Sequence, residues 1–112
     1  MNLADKIRTI SDFPKEGIEF KDITTLLKDA DAFQEAIDKI AKRYENEDID
    51  LVVGIEARGF LIGAPLAIAM NKGFVPVRKE GKLPGDKVVK EYDLEYGSSV
   101  LEMHKDAIDE GQ

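Results

Sequence analysis

The sequence predicts an α/β fold in which a parallel sheet is flanked by helices and carries a projecting β-hairpin. Three features of the sequence lead to this prediction. Residues 51–55 form an apolar run typical of a strand buried on both faces, an apolar helical segment follows at 60–70, and a second apolar run returns at 74–77. A strand, a helix and a strand in this order form a parallel unit with a right-handed crossover.

Two helices are predicted ahead of this unit. Apolar residues at helical spacing within 3–10 indicate a short first helix, which Pro14 and Gly17 end. A second helix is expected from Asp31, where the apolar side chains fall on one stripe. Asp29 and Asp31 are both suitable N-caps for it.

The strand at 51–55 is expected to be the central strand of the sheet, because both of its faces are apolar. The helix at 60–70 consists of small apolar residues and is expected to be buried. Pro65 fits that helix only within its first turn, because proline has no amide hydrogen to donate.

Alternation of apolar and polar residues from Val88 predicts an extended segment with one largely wet face. Gly97-Ser98-Ser99 is expected to turn the chain into a second strand at 100–104, which gives a hairpin. We therefore expect one domain made of residues 1–50, 51–87 and a hairpin at 88–108.

Composition excludes several function classes. The chain has 16 lysines and arginines against 23 acids and a net charge of -7, which argues against a nucleic-acid-binding protein. It has no cysteine and only one histidine, His104, so a cysteine- or histidine-rich metal site is excluded. No apolar run reaches the length of a membrane span and the first ten residues lack a signal-peptide core, so we expect a cytoplasmic protein.

Positive charge is nevertheless concentrated in one segment, residues 78–90, where five cations face two acids. The cations are Arg78, Lys79, Lys82, Lys87 and Lys90. Gly81, Pro84 and Gly85 interrupt the segment and predict a mobile loop. A plain solvated loop is the simpler interpretation of this charge run taken alone.

A second cationic loop, Glu56 to Gly59, follows the first strand of the parallel unit and leads into its helix. Arg58 can place a forked cation on an anion, and Gly59 permits close backbone approach. An ordinary strand-to-helix turn explains this loop equally well by itself. Because Arg78 and Lys79 leave the neighbouring parallel strand at the same sheet edge, the two loops together predict a site for phosphate or pyrophosphate.

Five segments that follow one another along the chain resemble adenine phosphoribosyltransferase. They are DFP at 12–14, GIEFKDIT at 17–24, GIEARGF at 54–60, VRKEGKLP at 77–84 and LEYG at 94–97. The resemblance implies a type I phosphoribosyltransferase-like fold and a pentosyltransferase of purine salvage that converts adenine and phosphoribosyl pyrophosphate to AMP and pyrophosphate. It also implies a homodimer and magnesium that is carried by phosphoribosyl pyrophosphate, with no protein ligand in this chain.

The resemblance assigns adenine binding to three consecutive residues. Phe20 matches the aromatic residue that stacks on the base, and the backbones of Glu19 and Lys21 match those that recognise its edge. A π face accepts any purine, whereas fixed backbone donors and acceptors discriminate among purines. Without the resemblance, Phe20 is interpreted as a core residue.

Pyrophosphate binding is implied for both cationic loops. Arg58 and Gly59 match the pyrophosphate loop, where Arg58 also counts as catalytic and a cis peptide bond is expected between Glu56 and Ala57. Three further cations match the mobile basic loop that holds the leaving pyrophosphate, in part across a dimer interface. They are Arg78, Lys79 and Lys82.

The hairpin matches a hood over the active site. Glu95 is implied as a catalytic carboxylate that assists proton movement at the purine, and Tyr96 as the residue that excludes water. A surface pair on a hairpin is the simpler interpretation of both residues. His104 is given no catalytic role.

Proteins of this family continue beyond the match to this chain into a loop that cradles the 5'-phosphate, so the resemblance implies that residues 1–112 alone are inactive. It also implies a sheet with an uncovered apolar flank. Two alternatives remain open: a non-catalytic module that binds a purine or mediates oligomerisation, and a phosphoribosyltransferase for another base.

Overall fold

The structure of the protein is a computed structural model that describes residues 1–94 and 97–112. It divides into two compact units, Met1–Lys42 and Arg43–Gln112. Within the described residues, no helix is long and apolar enough to cross a membrane. The division of one domain at residues 50 and 87 stays a prediction.

The first unit begins with a 3₁₀ helix at Leu3–Lys6, followed by strand β1 at Arg8–Ser11. β1 pairs antiparallel with β2, Glu19–Asp22, and Ile10 lies opposite Phe20. The prediction of a helix through residue 10 is therefore wrong beyond Lys6. The β-branched residues after Lys6 favour an extended chain, and pairing with β2 overrides their helical spacing.

Asp22, only 7% exposed, joins the elements of this unit. Its carboxylate accepts hydrogen bonds from the Thr24 amide at 3.0 Å and the Thr24 hydroxyl at 2.8 Å, at the start of α1, Thr24–Lys28. Arg8 of β1 donates its Nε–H to the same carboxylate. The Thr24 hydrogen bonds, supported by Arg8, lower the pKa of Asp22 to about 2.

The predicted second helix is confirmed as α2, Ala30–Arg43. Asp29 provides its cap, because its Oδ1 accepts the Ala32 amide at 3.1 Å. Lys6 lies 2.9 Å from the Asp29 carboxylate and, together with the Ala32 amide, lowers the pKa of that group. Ala32 and Ile37 are buried on the inward stripe.

The second unit contains the predicted parallel unit: β3 at Leu51–Ile55, α3 at Arg58–Met70 and β4 at Gly73–Lys79. β3 and β4 are parallel, with Gly54 opposite Pro76. The helix lies so close to the sheet that a Cβ on Gly54 would come within 2.7 Å of the Gly59 carbonyl oxygen and 2.8 Å of the Phe74 ring. Glycine is therefore required at this contact.

The expected position of β3 in the sheet is wrong. The strand order is β3-β4-β6-β5, so β3 lies at the edge and pairs with β4 alone among the described residues. Val53 and Ile55 of this edge strand are 48% and 50% exposed.

Pro65 lies in the interior of α3, well beyond the first turn in which it was expected. Proline cannot donate to the carbonyl four residues earlier, which here belongs to Leu61. Leu61 is 45% exposed, and the helix continues through the proline to Met70.

The predicted hairpin is confirmed, with β5 at Lys87–Leu94 and β6 at Gly97–His104. Its turn differs from the prediction, because Ser98 and Ser99 are already paired within β6. Every residue of β5 is exposed, so both faces of this edge strand are accessible to solvent. The sequence predicted solvent on one face only. β6 also pairs antiparallel with β4, at Arg78 opposite Glu102 and at Lys79, which makes the sheet mixed rather than parallel.

Substitution of Gly54 by alanine tests the close approach of α3 to β3. We expect Gly54→Ala to lower the free energy of unfolding by about 1–3 kcal/mol, because the added methyl group meets a backbone carbonyl and a packed ring. Urea unfolding of the natural protein measures the change. Gly73→Ala is the matched control, because its methyl group meets only the flexible end of Leu51 at 3.1 Å. Equal losses in the two variants would contradict the interpretation.

The lowered pKa of Asp22 predicts a pH-dependent contribution to stability. The pKa of about 2 in the folded protein lies below the ordinary aspartate pKa of 3.8, so the contribution is complete above pH 3.8 and is lost as pH falls toward 2. Denaturant unfolding of the wild type and Asp22→Asn should therefore differ near neutral pH and converge toward pH 2. Asp48→Asn is the control, because Asp48 is an exposed aspartate with no described hydrogen bond. Its free energy of unfolding should differ little from that of the wild type at every pH.

Candidate functional site

The first part of the candidate site is the connection between β3 and α3. The peptide bond between Glu56 and Ala57 is cis, as the resemblance implied. α3 begins at Arg58 without a side-chain cap from Ala57, and the Phe60 amide donates to the Ala57 carbonyl at 3.1 Å. The N-terminal end of a helix carries partial positive charge and attracts anions.

Gly59 lies in the first turn of α3, against β3. A Cβ at this residue would lie 3.3 Å from the carbonyl carbon of Gly54. The close backbone approach that the sequence predicted at Gly59 is therefore an approach to β3 in the structure. Its role in pyrophosphate binding stays a prediction.

Glu56 connects the two cationic loops. It does so because alternate residues of β4 direct their backbone groups toward β3. The Val77 carbonyl accepts the Glu56 amide at 2.9 Å, so Val77 directs its backbone toward β3. Two residues further on, the Lys79 amide points the same way and donates to Glu56 Oε1 at 3.0 Å. These contacts join the carboxyl ends of β3 and β4.

Arg78 completes this connection. Its Nε–H donates to the same Glu56 oxygen at 3.2 Å, and the Glu56 side chain is 14% exposed. The Lys79 amide and then the Arg78 guanidinium hold the pKa of Glu56 below its usual range. The sequence assigned Glu56 no role, although it is the one acid in the cationic loop from Glu56 to Gly59.

Arg78 also supports the loop that follows β4. Its Nη1 donates to the Lys82 carbonyl at 3.4 Å, and the Lys82 amide donates to the Lys79 carbonyl at 3.2 Å. Arg78 is thus a brace between loops as well as a cation. The ammonium groups of Lys79 and Lys82, by contrast, form no salt bridge with any described residue.

An open groove of about 750 Å³ runs along β3 and the start of α3. Its walls are largely apolar, and its lining includes the loop from Glu56 to Gly59 and Lys79. The structure therefore brings Arg58, Gly59 and Lys79 to one groove of ligand-binding size. Arg78 and Lys82 are not part of its lining.

The predicted adenine-binding residues lie on β2 of the first unit. The Phe20 ring packs edge-to-face against Phe13, with ring centroids 5.2 Å apart. The Lys21 ammonium donates to the Thr9 hydroxyl at 2.8 Å, and the Glu19 carboxylate accepts from the Ser11 hydroxyl at 3.3 Å. Among the described residues β2 pairs only with β1, in a two-stranded sheet, so alternate residues of β2 keep backbone groups on its other edge.

Glu95 and Tyr96, the predicted hood residues, lie outside the described residues. The flanking strands are described, and they place Leu94 directly opposite Gly97. The catalytic role of Glu95 stays a prediction.

The resemblance implies magnesium, and the side chains near the groove test whether this chain could hold it. The described residues contain no group of three or more histidine, aspartate or glutamate side chains that could hold a metal ion. The nearest carboxylate, Glu56, already accepts hydrogen bonds from Arg78 and Lys79.

Comparison with known proteins gives one consistent family. The chain is 62% identical over 111 residues to the adenine phosphoribosyltransferase of Clostridium kluyveri, which covers 99% of this chain and 64% of that protein. The crystal structure of adenine phosphoribosyltransferase from Thermoanaerobacter pseudethanolicus superposes with a TM-score of 0.95 at 57% identity, over 98% of this chain and 64% of that one. No family model matches the chain.

A third relative was crystallised with ligands. Adenine phosphoribosyltransferase from Saccharomyces cerevisiae, in complex with adenine and an imino-altritol bisphosphate, has a TM-score of 0.87 and 42% identity, over 95% of this chain and 62% of that one. The chain thus spans just under two thirds of the length of these relatives.

Removal of the Glu56 carboxylate tests its connection to β4. We expect Glu56→Ala to speed hydrogen exchange at the Lys79 amide, which loses its acceptor, while Glu56→Gln retains an acceptor oxygen and protects that amide. Exchange measured by NMR on the natural protein gives the result. Glu80→Ala, at an exposed residue next to Lys79, is the control, and equal exchange in all variants would contradict the connection.

Proposed function

Because the chain is homologous along its whole length to adenine phosphoribosyltransferases, we propose that the protein transfers a phosphoribosyl group from phosphoribosyl pyrophosphate to adenine, giving AMP and pyrophosphate. The observation that carries the proposal is the 62% identity over 111 residues, which includes both cationic loops and the segment around Phe20. The geometry of each unit supports a separate part of this reaction.

Departure of pyrophosphate is the step that the second unit would assist. Negative charge accumulates on the leaving group as its bond to the ribose breaks, and cations fixed in advance stabilise that charge. Arg58, the first residue of α3, and Lys79 both line the groove, and the start of α3 has no side-chain cap. Magnesium belongs to the substrate in this proposal, because it arrives with phosphoribosyl pyrophosphate.

The cations of the site are held by a shared carboxylate. Glu56 fixes the Arg78 guanidinium and the Lys79 backbone, so the Lys79 ammonium extends from an anchored residue. A preorganised cation pays less ordering cost when the anion binds. We assign Arg78 to bracing and Lys79 to direct contact with pyrophosphate, with Lys82 as a further contact.

Recognition of adenine is proposed for β2. The Phe20 ring, which packs edge-to-face with Phe13, is the aromatic group that we assign to stacking on the purine. The side chains of Glu19 and Lys21 are occupied by β1, which supports recognition of the base through their backbone groups. The relative from Saccharomyces cerevisiae was crystallised with adenine.

The alternative of a non-catalytic module is not favoured, because the similar proteins are named as phosphoribosyltransferases. The homodimer, the cytoplasmic location, the role in purine salvage and the hood function of Glu95 and Tyr96 stay predictions.

Turnover by the natural protein that contains this chain tests the proposal. The protein is incubated with phosphoribosyl pyrophosphate, magnesium and adenine, and AMP is separated by chromatography. Formation of AMP, with no nucleotide from guanine or hypoxanthine under the same conditions, supports the assignment. Turnover of guanine in place of adenine would assign another base, and absence of any nucleotide would overturn the reaction.

Substitution of Lys79 tests the contact with pyrophosphate. Lys79→Ala keeps the backbone amide that donates to Glu56 and removes only the ammonium group. Loss of a charged hydrogen bond predicts a rise in KM for phosphoribosyl pyrophosphate of roughly 10- to 100-fold, with KM for adenine nearly unchanged. Lys72→Ala, at an exposed lysine after α3, is the matched control and should leave both constants unchanged.

A further inference from the structure

Glu102 is a buried carboxylate that has no role in the reaction proposed above. It lies on β6 and is 4% exposed, which makes it the least accessible acidic residue among the described residues; Asp22 is next at 7%. Burial of a carboxylate is costly unless hydrogen bonds and opposite charge compensate it. The groups that compensate Glu102 all belong to the segment we call the basic loop, residues 80–86, and to the lysine that follows it.

Each carboxylate oxygen of Glu102 contacts a different part of this segment. Oε1 accepts the Gly81 amide at 2.9 Å, where the chain turns with φ of +81°. Oε2 lies 3.9 Å from the Lys87 ammonium, which in turn donates to the Leu83 carbonyl at 3.0 Å. Leu83 itself is 6% exposed. The carboxylate therefore holds the beginning of the loop directly and its middle through Lys87.

The strand register explains why one residue reaches both parts. The loop leaves β4 after Lys79 and re-enters the sheet at Lys87, the first residue of β5. β6 lies between these two strands, and its Glu102 is opposite Arg78 on one side and Val89 on the other. The pairing of β6 with β4 that attaches the hairpin to the sheet thus also places Glu102 next to the loop.

We propose that Glu102 is a positioning residue for the basic loop: by holding Gly81 and Lys87, it sets where Lys79 and Lys82 present their charge to pyrophosphate. The kinetic test of this inference rests on the proposed function, because it measures KM values for the substrates of that reaction. Glu102 faces the loop from beneath and does not contact the substrate in this scheme. Its effect reaches the cations through the backbone between Lys79 and Gly81.

A purely structural role is the competing explanation, and the pattern of kinetic change separates the two. A positioning role predicts that Glu102→Ala raises KM for phosphoribosyl pyrophosphate about tenfold, because the loop cations are displaced, and leaves KM for adenine within about twofold. Glu102→Gln keeps an oxygen that can accept the Gly81 amide and should recover most of the loss. Glu91→Ala, at an exposed acid of neighbouring β5, is the matched control.

Hydrogen exchange at the Gly81 amide provides a second measurement that does not depend on turnover. We expect this amide to be protected in the wild type and in Glu102→Gln, and to exchange faster in Glu102→Ala. Parallel increases in both KM values, or a Glu102→Ala variant equal to the Glu91→Ala control, overturn the inference. If the wild type forms no AMP, the proposed reaction fails, and unchanged Gly81 exchange in Glu102→Ala would then overturn the positioning role independently.

Discussion

Two hydrogen bonds to one oxygen of Glu56, from the Lys79 amide at 3.0 Å and Arg78 Nε at 3.2 Å, join the end of β4 to the loop that follows β3. The parallel pairing of β3 and β4 ends there, so these bonds continue the connection where the backbone ladder stops. Without them the two loops would leave the sheet independently. Glu56 thus fixes the backbone of Lys79, which lines the groove, and the guanidinium of Arg78 next to it.

The same physical device recurs at two other acids. Asp22 in the first unit and Glu102 in the second are buried, and each is compensated by a backbone amide and a nearby cation. A carboxylate that accepts a backbone amide fixes the main chain, whereas an ion pair between flexible side chains at the surface contributes little. Like Asp29 at the start of α2, these three carboxylates each hold the main chain as well as a cation.

Elements that depend on local sequence were predictable, and elements that depend on distant partners were not. The apolar runs of β3 and β4 and the stripe and cap of α2 are local signals, and all three elements formed where expected. The first helix failed because Ile10 pairs with Phe20, which its own neighbours do not reveal. β3 was placed at the centre because an apolar run shows that a strand is apolar and does not show how many neighbours it has.

The candidate site divides in the same way. Arg58 and Lys79 were identifiable because residues that follow parallel strands meet at one edge of the sheet, and the structure places both at one groove. Glu56 and Glu102 were missed because the role of an acid is defined by its partners, which lie 23 and 21 residues away. Their partners became visible only with the strand register.

Pro76 limits how far the hairpin can attach to the sheet. Val77 directs its backbone toward β3, so the residues on either side of it, Pro76 and Arg78, direct theirs toward β6. Arg78 pairs with Glu102, but the next position along the ladder is a proline that has no amide hydrogen to donate. The hairpin therefore pairs with β4 over two residues only, Arg78 and Lys79. Any rotation of the hairpin relative to β4 would occur about the pairing at Arg78.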